Sequence, residues 1–156
     1  MGRPPPDGLG GADEAGRSSE GTVAMGDRAN VKLVQRTWAD EERPIYLYTH
    51  WRGSELAETL RAALRRGDGR WDDDSYLARI IFGEMTRDDP LGTTGFGIGV
   101  ERPDNEHRII AVDCQKGTIT IESEDGRPYV TFSTFAEYVG CSPEALAAAY
   151  DPPDNA

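Results

Sequence analysis

Two glycine-containing turns in the second half of the chain constrain its fold more than any other feature. Lys116-Gly117 and Asp125-Gly126 each separate short runs of alternating apolar and polar residues. Dipeptides of this kind favour the tight turns that join antiparallel strands. The patterns predict strands over residues 108–114, 118–123 and 128–133 as a meander of hairpins, and one more strand over residues 95–101.

The first half of the chain has two strand patterns followed by two helix patterns. Alternation predicts strands over residues 30–35 and 44–50, joined by an acidic connection as an antiparallel pair. A helix is predicted over residues 54–66, with Ser54 as its N-cap and Gly67 at its end. Its apolar residues fall on one face. A second helix is predicted from Asp72 or Asp73 to just before Asp89-Pro90.

The C-terminal region carries the start signals of two more helices. Thr134 and Glu137 have the spacing of a capping box for a short helix through residue 139, and Ser142-Pro143 opens a last, alanine-rich helix. The resulting order is ββααββββαα. It predicts an α+β fold, with a mostly antiparallel sheet of about six strands and helices packed on one face.

Length and composition predict one domain with polar ends. A chain of 156 residues fits a single globular domain, assigned here to residues 25–150. Residues 1–24 consist of Gly, Pro, Ser and charged residues without periodicity, which predicts a disordered N-terminal extension. Residues 151–156 are expected to form a loose tail.

Charge and cysteine usage narrow the function classes. The 17 Lys and Arg against 28 Asp and Glu give a net charge of −11, which argues against direct binding to nucleic acid or anionic lipid. Cys114 and Cys141 are far apart and predict free thiols in a reducing compartment, although a disulfide between them stays open. No apolar run suits a membrane span or a signal peptide, so we expect a cytoplasmic protein.

The turn after the second strand is the best candidate for a ligand site. Thr49, His50, Trp51, Arg52 and Ser54 bring an imidazole, an indole, a guanidinium and hydroxyls into six positions. In a functional interpretation, the His50 imidazole is the acid–base group and Arg52 holds a carboxylate or phosphate. In the alternative interpretation the turn is structural, with Trp51 in the core and Arg52 in solvent.

Two other segments carry polar or glycine-rich patterns. The run from Asp104 to His107, followed by Asp113, offers oxygen and imidazole donors, but without paired ligand spacing it is interpreted as a turn, and no metal is predicted. Alternate glycines at Gly95, Gly97 and Gly99 fail the dinucleotide fingerprint, because no helix follows. They predict that an aromatic ring or a helix packs against the strand. No cofactor is predicted.

Several segments resemble a family of small uncharacterised bacterial and phage proteins. They are the opening Met-Gly-Asp-Arg-Ala-Asn-Val, residues 46–56, Arg-Trp-Asp-Asp with Tyr-Leu-Ala-Arg-Ile-Ile-Phe, and Thr-Gly-Phe-Gly-Ile-Gly with Asp-Asn-Glu-His. The resemblance covers roughly residues 25–113. It implies a shared fold and no activity.

Three hypotheses for the function follow. The leading one is a non-catalytic binding or regulatory module for a partner protein or a small polar ligand. The second is a small hydrolase or transferase that uses His50 with a nearby carboxylate, Glu106 or Asp113. The third is an acidic mimic that blocks a nucleic-acid-binding protein.

Overall fold

Six strands form one mixed sheet in a computed structural model that describes residues 26–123 and 125–151. In chain order the strands are β1 (Ala29–Leu33), β2 (Ile45–Thr49), β3 (Phe96–Gly99), β4 (Ile109–Asp113), β5 (Thr118–Glu122) and β6 (Pro128–Phe132). Their spatial order is β3-β2-β1-β4-β5-β6. Every neighbouring pair is antiparallel except β1 and β4, which run parallel.

Four helices accompany the sheet in the described part of the chain. They are α1 (Leu56–Arg66), α2 (Asp74–Met85), α3 (Phe135–Gly140) and α4 (Pro143–Tyr150), with short 3-10 turns at Gly53–Glu55 and Asp68–Arg70. The predicted α+β class, the mostly antiparallel sheet and the order ββααββββαα are confirmed.

The core lies between one face of the sheet and the helices. Register places Val31, Leu47, Ile110 and Ile121 side by side across four strands. These residues belong to the same buried cluster as apolar residues of all four helices, which include Leu60, Leu77, Phe135 and Leu146. Because side chains alternate along a strand, this single apolar row holds the helices against one face of the sheet.

Helix caps follow the sequence signals at three of four helices. The hydroxyls of Thr134 and Ser142 accept hydrogen bonds from backbone N–H groups of α3 and α4, as predicted, and Asp73 caps α2. The predicted N-cap role of Ser54 is wrong, because Ser54 lies inside the 3-10 turn that precedes α1. Its backbone N–H instead donates to the Asp27 carboxylate over 2.8 Å.

The parallel pair of β1 and β4 brings two distant segments together. Val34 N–H donates to the carbonyl of Val112 at one end, and Glu106 N–H donates to the carbonyl of Arg28 at the other. The residues just before β1 therefore lie beside those just before β4. This neighbourhood contains a histidine–carboxylate pair.

The three alternate glycines before and within β3 differ in how closely other atoms approach them. A methyl group on Gly95 would lie 2.7 Å from the Trp51 ring, so the predicted close approach of an aromatic ring is confirmed there. The same prediction is wrong for Gly97 and Gly99, where a methyl group would meet no atom within 4 Å. Only the first glycine is required by packing.

Several predictions concern the ends of the chain and the membrane. The expected extension over residues 1–24 lies outside the described residues, and only Asp151 of the expected tail lies within them. Cys114 and Cys141 are free. Within the described residues, no helix has the length and apolar character that crossing a membrane requires.

Candidate functional site

His50 lies where β2 runs into the bend before α1. Its Nδ1 is 2.9 Å from the Tyr48 hydroxyl, and its ring meets the Trp51 indole edge-on with 4.8 Å between centroids. Trp51 is 56% exposed, so the expectation that it packs in the core is wrong. Its indole covers Gly95 at the surface instead.

Glu106 and Asp113, the carboxylates proposed as partners of His50, are bound by arginines. Glu106 accepts from the backbone N–H of Arg28 over 2.8 Å and faces its guanidinium. Asp113 accepts from both terminal nitrogens of Arg36 over 3.0 and 2.9 Å. Burial alone would raise the pKa of Asp113, but the hydrogen bonds from Arg36 and the Lys116 amide outweigh it and lower that pKa. Both carboxylates are therefore committed to ion pairs.

A histidine–carboxylate pair does occur, at His107. Its Nε2 lies 2.5 Å from Asp27 Oδ1, its ring stacks on Tyr150 with centroids 5.3 Å apart, and its side chain is nine-tenths buried. Asp151 Oδ1 is 3.3 Å from Nδ1, although the angles do not make a hydrogen bond. The Tyr150 hydroxyl in turn donates to the carbonyl of Gly53.

No local sequence pattern predicts this pair. His107 lies in a run of loop donors, and Asp27 lies 80 residues earlier, before the first predicted strand. Only the parallel pairing of β1 with β4 brings them together. Within residues 26–123 and 125–151, no group of three or more histidine, cysteine or acidic side chains is arranged to hold a metal ion.

A cleft of about 350 Å³ opens beside the predicted turn, between the end of β2, the start of β3 and the helices α1 and α2. Its apolar lining comes from Leu56, Ala62, Met85 and Phe96. Its charged lining comes from Arg52, Glu55, Glu58, Glu84, Arg87 and Asp88. Four carboxylates thus face two guanidinium groups around an apolar surface.

Ion pairs hold the charged rim in place. Arg52 reaches Glu55 over 2.7 Å and Asp88 over 3.0 Å, so it joins the turn before α1 to the segment after α2. The hydrogen bonds that Arg52 donates to Glu55, and then to Asp88, raise the pKa of Arg52. Glu84, nine-tenths buried, is held by both Arg66 and Arg87.

Some of the predicted ligand-binding residues line the cleft, and others lie outside it. Thr49 and Arg52 line the cleft. His50, Trp51 and Ser54 do not. The Arg52 guanidinium forms ion pairs with Glu55 and Asp88. The protein's own carboxylates thus take the place of the carboxylate or phosphate ligand that the sequence predicts for Arg52.

A second cleft, of about 440 Å³, lies at the start of α2 and the end of β4. Its lining includes Arg36, Gln115, Cys114 and the run Asp72, Asp73 and Asp74. Burial, followed by the charges of the nearby aspartates, raises the pKa of Cys114 to about 12. The thiol is thus protonated at neutral pH and is a poor nucleophile.

Comparison of the chain with models of protein families, with curated proteins and with solved structures found no match. The resemblance suggested by the segments between residues 25 and 113 therefore stays a prediction.

Proposed function

We propose that this protein is a non-catalytic binding module, and that the cleft beside α1 takes a small polar ligand with a cationic group on a short apolar body. The observation that carries the proposal is the carboxylate of Asp88, which lies at the rim of a partly apolar cleft and is contacted by Arg52 through one oxygen alone. An ammonium group gains charge-assisted hydrogen bonds there. Its apolar part gains contact with Met85 and Phe96.

Asp88 is the carboxylate best placed to receive the cation. It is 70% exposed at the rim, and Arg52 contacts its Oδ2 only. In the described part of the chain, Oδ1 of Asp88 accepts no hydrogen bond. Both oxygens of Glu58, by contrast, accept from Arg61. A ligand can therefore bind Asp88 without breaking an existing ion pair.

The hydrolase or transferase hypothesis has less support than the binding module. It needs His50 beside a carboxylate, whereas Tyr48 is the hydrogen-bond partner of His50 and arginines hold Glu106 and Asp113. General acid–base work also needs the imidazole to reach a substrate in a pocket, and His50 does not line the cleft. The mimic hypothesis rests on the net charge alone.

The experiment that tests the proposal uses two probes of the same shape and opposite charge. Benzylamine and benzoate are titrated against the full chain, and binding is followed by amide chemical shifts. We expect benzylamine to shift residues of the cleft, with benzoate giving no saturable change there. Benzoate binding in the cleft as tightly as benzylamine would contradict the proposal.

Two variants test whether benzylamine binds at the charged rim of the cleft. Asp88→Asn removes the charge without changing the shape, and should weaken benzylamine binding about tenfold, the equivalent of one charge-assisted hydrogen bond. Glu144→Gln removes one charge from an exposed position in the first turn of α4 and is the control. Equal weakening in both variants would mean that only the net charge of the chain attracts the amine.

A further inference from the structure

Strand β3 is an outer strand of the sheet, with β2 on one side. The His50 N–H donates to the carbonyl of Gly95, which fixes the alternation of the antiparallel ladder. In the register of this pair, Gly97 and Gly99 direct their backbone groups toward β2. Phe96 and Ile98 therefore direct their N–H and C=O groups away from the sheet, where an added strand would meet them.

The edge of β3 that no described strand covers is short, with four residues, but it lacks two other features that prevent strand addition, charged side chains and proline. Residues 91–100 contain no charged residue and no proline, in a chain of which 29% is charged. Leu91, Ile98 and Val100 are exposed. On the opposite face, Gly97 and Gly99 have open space beside their α-carbons. An incoming strand would meet apolar side chains on one face and no obstruction on the other.

The other outer strand, β6, is protected by comparison. It begins with a proline, Pro128, which offers no N–H, and its pairing with β5 is interrupted by a register shift at Ile121 and Glu122. Proline and irregular pairing are devices by which proteins prevent edge-to-edge association. The two edges of this sheet thus differ in kind, and only β3 has the properties of a docking strand.

Charge indicates what kind of segment the edge of β3 accepts. The four residues before the uncharged stretch, 87–90, include one arginine and two aspartates, and the four after it, 101–104, include one arginine, Glu101 and Asp104, so each flank carries a net charge of −1. We propose that the free edge of β3 binds an extended segment of a partner protein, with β-branched residues at its centre and lysine or arginine at both ends. Backbone pairing supplies the affinity, and the acidic flanks select the charge. A second copy of this chain would bring the same acidic flanks and the same net charge of −11.

The test uses the peptide Lys-Lys-Thr-Val-Thr-Val-Thr-Lys-Lys and the full chain. We expect the saturating peptide to slow hydrogen exchange of the Phe96 and Ile98 amides by about tenfold or more, because both become hydrogen-bonded. The same peptide N-methylated at each of its five central residues has no N–H to donate along either edge, and should bind about tenfold more weakly. A version with glutamate at both ends should also bind more weakly, with a difference that shrinks at high salt.

Two substitutions of Ile98 complete the test. Ile98→Pro removes the outward N–H and leaves the ladder with β2 intact, so it should weaken the peptide about tenfold. Ile98→Thr keeps that N–H and the branched side chain, and should stay within about threefold of the wild type. Unchanged exchange at Phe96 and Ile98, or equal binding of the N-methylated peptide, would overturn the proposal. Wild-type self-association that Ile98→Pro abolishes would also overturn it, because the occupant would then be a second copy.

Discussion

Gly53 lies where the turn after β2 presses against the segment before β1. Its N–H donates to the carbonyl of Asp27 over 2.8 Å, and its own carbonyl accepts from the buried Tyr150 hydroxyl. A methyl group at this position would lie 2.5 Å from the Asp27 carbonyl oxygen and 2.9 Å from the His107 ring. Backbone atoms held by hydrogen bonds on both sides cannot move aside easily, so the position requires glycine.

Substitution of Gly53 is therefore expected to destabilise the fold. Gly53→Ala should lower the free energy of unfolding by about 1–3 kcal/mol, the usual cost of overpacking. Gly69→Ala is the control, because a methyl group there meets no atom within 4 Å, and its effect should stay within about 0.5 kcal/mol. Urea denaturation of the two variants measures the difference, and similar losses in both would contradict the packing account.

The Asp27 carboxylate should make stability depend on acid pH. Partial burial opposes its ionisation, but hydrogen bonds from His107 and Ser54 outweigh burial and lower its pKa below the ordinary value of 3.8. Folding therefore favours the ionised form. The stability that the ionised carboxylate adds is fully present above the ordinary pKa of 3.8, and it is lost as the pH falls through the lowered pKa of the folded protein.

The matching measurement compares Asp27→Asn with the wild type at about pH 7 and about pH 3. The variant should be less stable at neutral pH, and the gap in stability should narrow as the pH falls below 3.8, because the carboxylate of the unfolded wild type then takes up a proton. Asp68→Asn, at an exposed position, is the control and should show no such trend. A gap of constant size would mean that the charge of Asp27 contributes nothing to folding.

Local signals predicted the elements well. Each of the ten predicted strands and helices is present, and the ends differ by a few residues at most, because alternation, caps and turn residues act within one element. The 3-10 turn at Gly53–Glu55 is the exception. Ser54 has the residue type of an N-cap, but Asp27 from another segment binds its amide, and a contact of that range leaves no pattern in the local sequence.

The cap of the last helix gives a test of this local account. Ser142→Ala removes the hydroxyl that accepts from the Ala145 N–H, and should cost about 1 kcal/mol. Ser75→Ala is the control, because Ser75 lies inside α2, where alanine is at least as favourable as serine. If thermal unfolding shows no difference between these two variants, α4 does not depend on its cap.

At the scale of the whole molecule, the sequence predicted the fold class but not the arrangement that makes the site. The parallel pairing of β1 with β4 follows from packing across the chain and from no turn signal. It joins Asp27 to His107. The predicted pairing of His50 with Glu106 or Asp113, by contrast, was based on residue type alone. The cleft likewise depends on the contact of Arg52 with Asp88, 36 residues away.

The two clefts described above share an acidic character, and we assign the ligand to only one of them. The cleft beside α1 combines carboxylates with apolar side chains, which suits a cation on an apolar body. The cleft at the start of α2 has three consecutive aspartates and Val34 as its one aliphatic residue. A probe that carries both an ammonium group and a ring distinguishes the two environments.

A crystal structure of the full chain with benzylamine bound would show where the ligand lies. We expect the ring against Met85 and Phe96, with the ammonium nitrogen about 3 Å from a carboxylate oxygen of Asp88. We also expect the Arg52 bridge to stay in place. Benzylamine bound at Asp72, Asp73 and Asp74, with the cleft beside α1 empty, would contradict the proposed binding site.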